Sequence, residues 1–165
     1  MQKQQLDLEL PVVCNIQEAK NWAKDFGAIL TVGPNKNEVR LKHNNHAIFT
    51  FSDTTFGANA PTLEVIEQAI DWGQDKEDLL VHCHAGISRS TSTAWGISIA
   101  RGADPLESFL TLRDAQPLED FEYGFQNSVR RPFAPNRLIV SFLEDIFALD
   151  GLLEIRNEYM SDGWN

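Results

Sequence analysis

The chain has 165 residues, a formal net charge of −10 and a hydrophobic fraction of 42%. A domain typically holds ~100–200 residues, so we expect residues 1–165 to form a single domain. The acidic balance disfavours nucleic acid or an anionic membrane as a partner, and no apolar run approaches the ~20 residues that cross a bilayer. The first residues lack an apolar signal core, so we expect a soluble, cytoplasmic protein.

Short apolar runs alternate with helical patterns through the first half of the chain. Strands are predicted at residues 8–13, 28–32, 38–42, 47–51 and 79–82. Helices are predicted at residues 16–25 and 61–72, and Gly27 is typical of the end of the first one. Residues 33–37 carry the turn-forming side chains that separate the second and third strands.

The second half of the chain has helical patterns only. Small and apolar residues at 91–100 favour a packed helix, and Asp104-Pro105-Leu106-Glu107 combines a cap with a proline suited to the first turn of a helix toward Ala115. Residues 130–135 then break the chain before Asn136 starts an apolar helix to about Ala148. This order predicts an α/β fold with a central, mostly parallel sheet, flanking helices and a helical C-terminal half.

The segment His82-Cys83-His84-Ala85-Gly86-Ile87-Ser88-Arg89-Ser90 connects the fifth predicted strand to the packed helix. Amides at a helix N-terminus lack partners within the helix and the dipole there favours negative charge, so a tight loop at this place can bind an anion. Gly86 lets the backbone fold closely around that anion. The same field stabilises a thiolate, and the Arg89 fork can bind two phosphoryl oxygens at once. We therefore expect Cys83 to be a nucleophile.

This segment resembles the Cys-x5-Arg signature loop of protein tyrosine phosphatases, including the dual-specificity type. The resemblance implies a phosphatase-like three-layer fold and a reaction through a cysteinyl-phosphate. The Arg89 side chain would hold the phosphoryl group together with the loop amides, which belong to His84, Ala85, Gly86, Ile87, Ser88 and Arg89. Ser90 would assist departure of Cys83, and His82 would support the cysteine. Rhodanese-like sulfurtransferases have one residue fewer in the loop, and low-molecular-weight phosphatases carry it near the N-terminus, so both are disfavoured.

A general acid is needed to protonate the leaving oxygen. Asp53 follows a predicted strand, and the carboxyl ends of strands in α/β sheets share one edge, so its loop and the Cys83 loop are expected to meet. By resemblance, Asp53 occupies the aspartate loop about thirty residues before the cysteine in dual-specificity enzymes. The Trp-Pro-Asp triplet of the larger tyrosine-specific enzymes is absent, since Ser52 precedes Asp53. A turn or capping aspartate is the alternative interpretation.

Neither a cofactor nor a metal is predicted. His82 and His84 flank the cysteine, but neighbouring side chains on a strand point to opposite faces, and His43 and His46 are a weaker suggestion still. Cys14 is interpreted as a buried structural thiol. The second hypothesis for Cys14, by resemblance to relatives with a second cysteine, is a reversible disulfide with Cys83.

The sequence thus favours a phosphomonoester hydrolase for phosphotyrosine in proteins or peptides, with phosphoserine and phosphothreonine as further substrates. Two alternatives stay open, namely a phosphatase for a phosphoinositide or other small phosphate and a non-catalytic phosphate-binding protein. The first is supported by a short basic stretch, which contains Lys36, Arg40, Lys42 and His43. Nothing in the sequence indicates an oligomeric state. Residues 134–137 also resemble a late loop of small bacterial phosphatase-like proteins, which favours a bacterial or phage source. Ordinary solvated charge is the alternative interpretation for three arginines that are candidates for the pocket rim. They are Arg130, Arg131 and Arg137.

Overall fold

The computed structural model describes residues 9–33, 41–119 and 129–164. The strands in these ranges are β1 (Val12–Cys14), β2 (Ala28–Gly33), β3 (His46–Thr50), β4 (Leu79–His82), β5 (Leu118–Glu119) and β6 (Val129–Arg130). The helices are α1 (Ile16–Trp22), α2 (Leu63–Gly73), α3 (Arg89–Ala100), α4 (Pro105–Asp114), α5 (Arg137–Phe147) and α6 (Leu152–Tyr159). A short 3-10 turn at Ala23–Asp25 continues α1.

The first four strands form one parallel sheet in the order β1-β4-β2-β3, while β5 and β6 form a separate antiparallel pair. Parallel strands require crossover connections. Helix α1 lies between β1 and β2 along the chain, and α2 lies between β3 and β4. The predicted α/β fold with its parallel sheet is therefore confirmed. One predicted strand is not: residues 38–40 of the strand at 38–42 lie outside the described residues, and Leu41 and Lys42 belong to no strand. Most of the predicted turn at 33–37 also lies outside them, as do Leu8, Lys36 and Arg40.

Both faces of the sheet are covered, which explains the nearly continuous apolar runs of its strands. Alternate side chains point to opposite faces. Ile29 and Leu80 belong to a small cluster with α1, whereas Leu30 and Val81 belong to the main core with the helices of the other face. The result is three layers, and α1 is the helix of the described ranges that covers the second face.

Helix α3 lies in the centre of the main core and fixes one wall of the candidate site. Its residues from Ser90 to Ser98 are all buried. A Cβ added to Gly96 would lie 2.7 Å from Leu143 and 2.8 Å from Ile70, so this helix packs directly against α5 and α2. Its buried hydroxyls bond to carbonyls one turn earlier, such as Ser98 Oγ to the Ala94 carbonyl at 2.8 Å.

Local capping signals set several helix ends. The Asp104 carboxylate accepts a hydrogen bond from the Glu107 amide at 2.9 Å, with Pro105 at the first position of α4, as predicted. Asn136 caps α5 by accepting from the Ile139 amide at 3.0 Å. Helix α6, which follows Gly151, has no counterpart in the sequence-based prediction. None of the helices in the three described ranges is long and apolar enough to cross a membrane.

Candidate functional site

The loop between β4 and α3 is held in place by hydrogen bonds that its carbonyl groups accept from amides of neighbouring segments. The His84 carbonyl accepts from the Ile16 amide at 3.0 Å, at the start of α1. The Ile87 carbonyl accepts from the Ala134 amide at 3.0 Å, and the Ser88 carbonyl accepts from the Asn136 amide at 3.3 Å. Two neighbouring segments therefore clamp the loop, one on the α1 side and one just before α5.

Gly86 makes this tight loop possible. Its φ is +74°, a conformation that side chains with a Cβ rarely adopt, and an added Cβ would lie 2.9 Å from the carbonyl oxygen of Cys14. The Gly86 amide donates to the Cys83 Sγ at 3.2 Å. A larger residue at this position would push the loop away from β1 and move that amide off the sulfur.

Cys83 lies at the floor of the pocket with 2% of its surface exposed. Besides the Gly86 amide, the Ser90 hydroxyl lies 3.1 Å from Sγ. A thiolate sulfur can only accept hydrogen bonds, so in that form Sγ would accept from both the Gly86 amide and the Ser90 hydroxyl. The thiolate is the nucleophilic form of cysteine.

The Arg89 guanidinium is fixed by the end of β3 and by β2. Its Nη1 donates to the carbonyl of Phe51 at 2.8 Å. Gly33, at the end of β2, provides the space: its φ is +106°, and an added Cβ would lie 2.5 Å from the Arg89 Cζ. Within residues 9–33, 41–119 and 129–164, no hydrogen bond occupies the Nε and Nη2 edge of the fork, and such an edge can bind two oxygens side by side.

Asp53 lines the same pocket as Cys83. Its Oδ1 accepts from the Ser88 hydroxyl at 2.7 Å and from Asn136 Nδ2 at 2.8 Å. Asn136 Nδ2 also lies 3.3 Å from the Thr54 carbonyl, so this side chain fixes the Asp53 loop as well as capping α5. The two loops meet at the carboxyl edge of the sheet, where the sequence indicated that they would.

The pocket over Cys83 has a volume of about 1050 Å³. Exposed aromatic side chains, Phe56 and Trp164, lie on its lining. Its charged lining residues among those described are Asp53, Arg89, Arg137 and Arg156.

The prediction for the pocket rim is right for one arginine and wrong for two. Arg137 lines the pocket. Arg130 instead donates to the carbonyls of Asp114 and Gln116. Arg131 is buried in ion pairs, with Glu18 at 2.5 Å and Glu119 at 2.7 Å, so it joins α1 to β5 and is not available to a ligand.

A chain of hydrogen bonds extends from the loop across the sheet. His82 Nδ1 lies 3.0 Å from the Cys83 carbonyl, which can only accept, so Nδ1 carries the proton. His82 Nε2 then accepts from the Thr31 hydroxyl at 2.6 Å, and the Thr31 oxygen accepts from His46 Nε2 at 2.7 Å. Three neighbouring strands thus determine the tautomer of the histidine beside the nucleophile.

Burial lowers the pKa of both histidines in this series of hydrogen bonds, His82 and His46. It lowers the pKa of His82 to about 4, an effect that the bond to the Cys83 carbonyl opposes and the nearby His46 strengthens. Burial also lowers the pKa of His46, and His43 adds to that effect. His43 itself donates from Nε2 to the Phe26 carbonyl at 2.7 Å, and His46 is the first residue of β3.

Comparison of the sequence with protein-family models and with curated proteins finds no match. Solved structures do match. A human tyrosine phosphatase-like serine/threonine/tyrosine-interacting protein gives a TM-score of 0.59 at 15% identity over 82% of this chain and 89% of that one. DUSP15 gives 0.56 at 18% identity over 88% and 87%, and the PTP-2 phosphatase of Cydia pomonella gives 0.52 at 15% over 82% of each. The chain has the fold of the protein tyrosine phosphatase superfamily. The predicted phosphatase-like fold is confirmed.

Cys14 lies beside the loop, at the end of β1 and in register with His82 on β4. It is fully buried. Burial raises the pKa of the Cys14 thiol well above its ordinary value, and Glu18 and the Cys83 thiol add to this effect. A thiol that stays neutral is a slow partner in disulfide exchange. The disulfide with Cys83 stays a prediction.

Three features of the site were missed from the sequence. They are the contact of Asn136 with Asp53, the Thr31 hydroxyl between two histidines, and Arg156 on the pocket wall. Thr31 had a signal in the sequence: it is a polar residue in the middle of an otherwise apolar strand, Ala28–Gly33. A buried hydroxyl needs a partner, which directs attention to the polar residues of the neighbouring strands.

Proposed function

We propose that the protein is a cysteine-dependent phosphatase that hydrolyses phosphotyrosine, and also phosphoserine and phosphothreonine, in peptides. The observation that carries the proposal is one buried thiol whose sulfur lies within hydrogen-bond distance of an amide and a hydroxyl, in a pocket that also contains a guanidinium and a carboxylate. Together they can supply a nucleophile, an anion clamp and an acid. The superfamily fold is consistent with this chemistry.

In the first step the Cys83 thiolate attacks phosphorus in line with the ester oxygen. The P–O bond breaks, and a proton from Asp53 passes to the leaving oxygen. Since Ser88 and Asn136 both donate to Oδ1, the proton to be delivered is carried by Oδ2. Arg89 and the loop amides bind the equatorial oxygens, a stabilisation that is often the largest part of catalysis.

In the second step water replaces the sulfur. Asp53 is now a carboxylate and takes a proton from a water molecule while the water oxygen attacks phosphorus. The S–P bond breaks and its electron pair returns to Sγ, where the Ser90 hydroxyl at 3.1 Å donates to the thiolate. Inorganic phosphate leaves. Cys83 is again a thiolate and Asp53 again carries a proton, so the site is ready for the next substrate.

A peptide substrate fits the charge of the protein better than an anionic membrane does. The net charge of −10 repels such a membrane, although the pocket itself contains three arginines among its described lining residues. A volume of about 1050 Å³ also admits more than the phosphoryl group alone. The phosphoinositide or small-phosphate alternative and the non-catalytic alternative become outcomes of the experiment.

The experiment compares the wild type with Cys83→Ser, Asp53→Asn and Asp71→Asn on an aryl phosphate, phosphotyrosine and phosphothreonine peptides, and a soluble inositol phosphate. We expect Cys83→Ser to abolish turnover. Asp53→Asn should slow hydrolysis of substrates with poor leaving groups by ~10²–10⁴-fold and have less effect on good ones, because it removes the acid. The exposed Asp71 on α2 provides the matched control, which should behave as the wild type.

Each alternative has its own result. Substantial turnover by Cys83→Ser contradicts covalent catalysis, and unchanged Asp53→Asn activity on a poor leaving group removes Asp53 as the acid. Turnover of the inositol phosphate alone favours the small-phosphate alternative. A wild-type protein that binds phosphopeptides and hydrolyses none of the substrates is a binding protein.

A further inference from the structure

A separate cleft lies between the start of β1 and the end of α4. Its volume is about 230 Å³, and none of its described lining residues also lines the pocket over Cys83. Residues 10–13 form one wall, and the last turn of α4 with the two residues after it forms the other. The described lining residues carry no charge, and most of them are apolar. This β1–α4 cleft has no part in the proposed function.

Gln116 lies on the wall of the cleft and has one polar atom that is not satisfied. The residue is 3% exposed. Its Nε2 donates to the Leu112 carbonyl at 3.1 Å, whereas its Oε1 has no hydrogen-bond partner. Within the described ranges, this oxygen is the one buried side-chain nitrogen or oxygen in that state. A buried acceptor without a donor is costly. A donor that enters the cleft would supply the missing partner.

Strand β1, beside the cleft, lies at an edge of the sheet, and β4 is its one partner in the part of the chain that the structure describes. The outer side of an edge strand presents backbone N–H and C=O groups to which an added strand can bond. Val12 of β1 lines the cleft and is 41% exposed, and Leu118, two residues after Gln116, is 62% exposed. An open strand edge with exposed apolar side chains is typical of a surface that binds an extended peptide.

We propose that the β1–α4 cleft is a docking site for an extended segment of a partner protein, which lies along β1 and places a tryptophan side chain in the cleft. The indole N–H donates to Gln116 Oε1. This site is independent of the proposed function, since it uses none of the residues around Cys83.

The size and the chemistry of the cleft select this occupant. Pockets for drug-sized ligands hold ~300–1,000 Å³, so a cleft of about 230 Å³ fits a single side chain. A lysine or arginine would bury its charge without an acidic partner on the described walls. Tryptophan has a large apolar body and a nitrogen that only donates, which matches a largely apolar cleft with one unsatisfied acceptor.

Peptide binding tests this inference without any phosphate chemistry. The probes are fluorescein-labelled peptides of alternating threonine and valine with either tryptophan or 3-benzothienylalanine at the centre. The second side chain has the shape of the first, with sulfur in place of the indole N–H. In fluorescence anisotropy the tryptophan peptide should bind the wild type about tenfold more tightly, which corresponds to about 1.4 kcal/mol. Gln116→Met has a similar shape without the amide oxygen, so it should bind the two peptides equally.

The control variants separate the cleft from other surfaces. Gln68→Met, at an exposed position of α2, should keep the wild-type difference between the peptides. Ala115→Phe, at an exposed position on the cleft wall, should block the cleft and abolish binding. Cys83→Ser should bind both peptides as the wild type does, so a failure of the proposed function leaves this result unchanged.

Amide chemical shifts locate the bound peptide, since signals of residues 10–13 and 111–116 should move. Signals that move only at residues 83–90 would assign the peptide to the other pocket and overturn the docking site. It is also overturned if the tryptophan peptide does not bind, if it binds no better than its benzothienyl counterpart, or if the difference survives Gln116→Met.

Thermal unfolding shows whether each variant is folded. If Gln116→Met does not fold, the comparison of the two peptides on the wild type and the loss of binding in Ala115→Phe decide, because Ala115 is exposed. Sedimentation of the protein without peptide tests a different occupant. If copies of the chain associate and Ala115→Phe separates them, the cleft binds a second copy, which overturns the proposal of a partner segment.

Discussion

Lowering the pH should destabilise the protein through His82, before the carboxylates titrate. The unfolded chain takes up a proton on this histidine below about pH 6.5, whereas the folded protein resists protonation until a pKa of about 4. A folded-state pKa that is lowered gives stability that is fully present above pH 6.5 and is lost as the pH falls toward 4. Burial is the main cause of this resistance, because it disfavours the charged form of the imidazole. The nitrogen that would take the second proton, Nε2, already accepts a hydrogen bond from Thr31.

The two pKa values give the size of the effect. Between pH 7.5 and pH 5 the free energy of unfolding should fall by about 2 kcal/mol on account of His82 alone. Most aspartates and glutamates titrate below this window, near pH 4, so they contribute little to the change. His46 acts in the same direction, since burial lowers its pKa too.

Urea denaturation followed by circular dichroism at pH 7.5, 6.5, 5.8 and 5.0 measures this dependence. The comparison protein is His82→Gln, whose amide keeps polar atoms in the same place and does not titrate. The fall in unfolding free energy should be about 2 kcal/mol smaller in the variant than in the wild type. If the two pH dependences agree to within about 0.5 kcal/mol, burial does not hold His82 neutral in the folded protein and the reasoning is refuted.

Three further predictions concern the groups around the nucleophile. Gly33→Ala should displace the Arg89 guanidinium and lower kcat/KM on an aryl phosphate by roughly 100-fold or more, since it removes a group that stabilises the transition state. Gly102→Ala is the control, because Gly102 also has a positive φ but lies in open space, and its kcat/KM should not change. Equal losses in the two variants would mean that backbone strain alone is responsible. Thr31→Val should lower the free energy of unfolding by ~1–3 kcal/mol because it leaves His82 Nε2 buried without a hydrogen-bond donor. Thr31→Ser keeps the hydroxyl, so its free energy of unfolding, measured by urea titration, should fall by less. Ser90→Ala should slow the second step, giving a burst of phenol followed by slow turnover in stopped-flow traces; a linear trace at the wild-type rate would argue against this role.

The parts of the fold that the sequence predicts well are those with local causes. The apolar run before Cys83 and the small residues after Ser90 predict a strand, a loop and a helix, and the structure has β4 and α3 there. Asp104 and Asn136 are typical capping residues and do cap helices. The common edge of the Asp53 and Cys83 loops follows from a general property of parallel sheets.

The parts that it does not predict depend on contacts between distant segments. Thr31 is an ordinary strand residue in its own sequence and becomes a link only when β4 and β3 flank β2. Arg156 has the sequence context of a solvated charge, but it is buried, and its Nε donates to the carbonyl of Pro135, 21 residues earlier. The same holds for Arg131, whose partner Glu18 is 113 residues away.

Helix α3 is buried and the Asp53 loop is exposed, so the free energy of local unfolding should differ between these two sides of the candidate site. Ser90 to Ser98 of α3 are buried throughout, so amide hydrogens of this helix should exchange only when the whole protein unfolds. Residues 53–59 are all exposed, and Asn136 and Ser88 provide the side-chain bonds to Asp53, so this loop can open at a lower cost. In mild denaturant the acid would therefore leave the site before the nucleophile does. Cys83 should therefore still react with a thiol reagent at its native rate after hydrolysis of substrates with poor leaving groups has ceased.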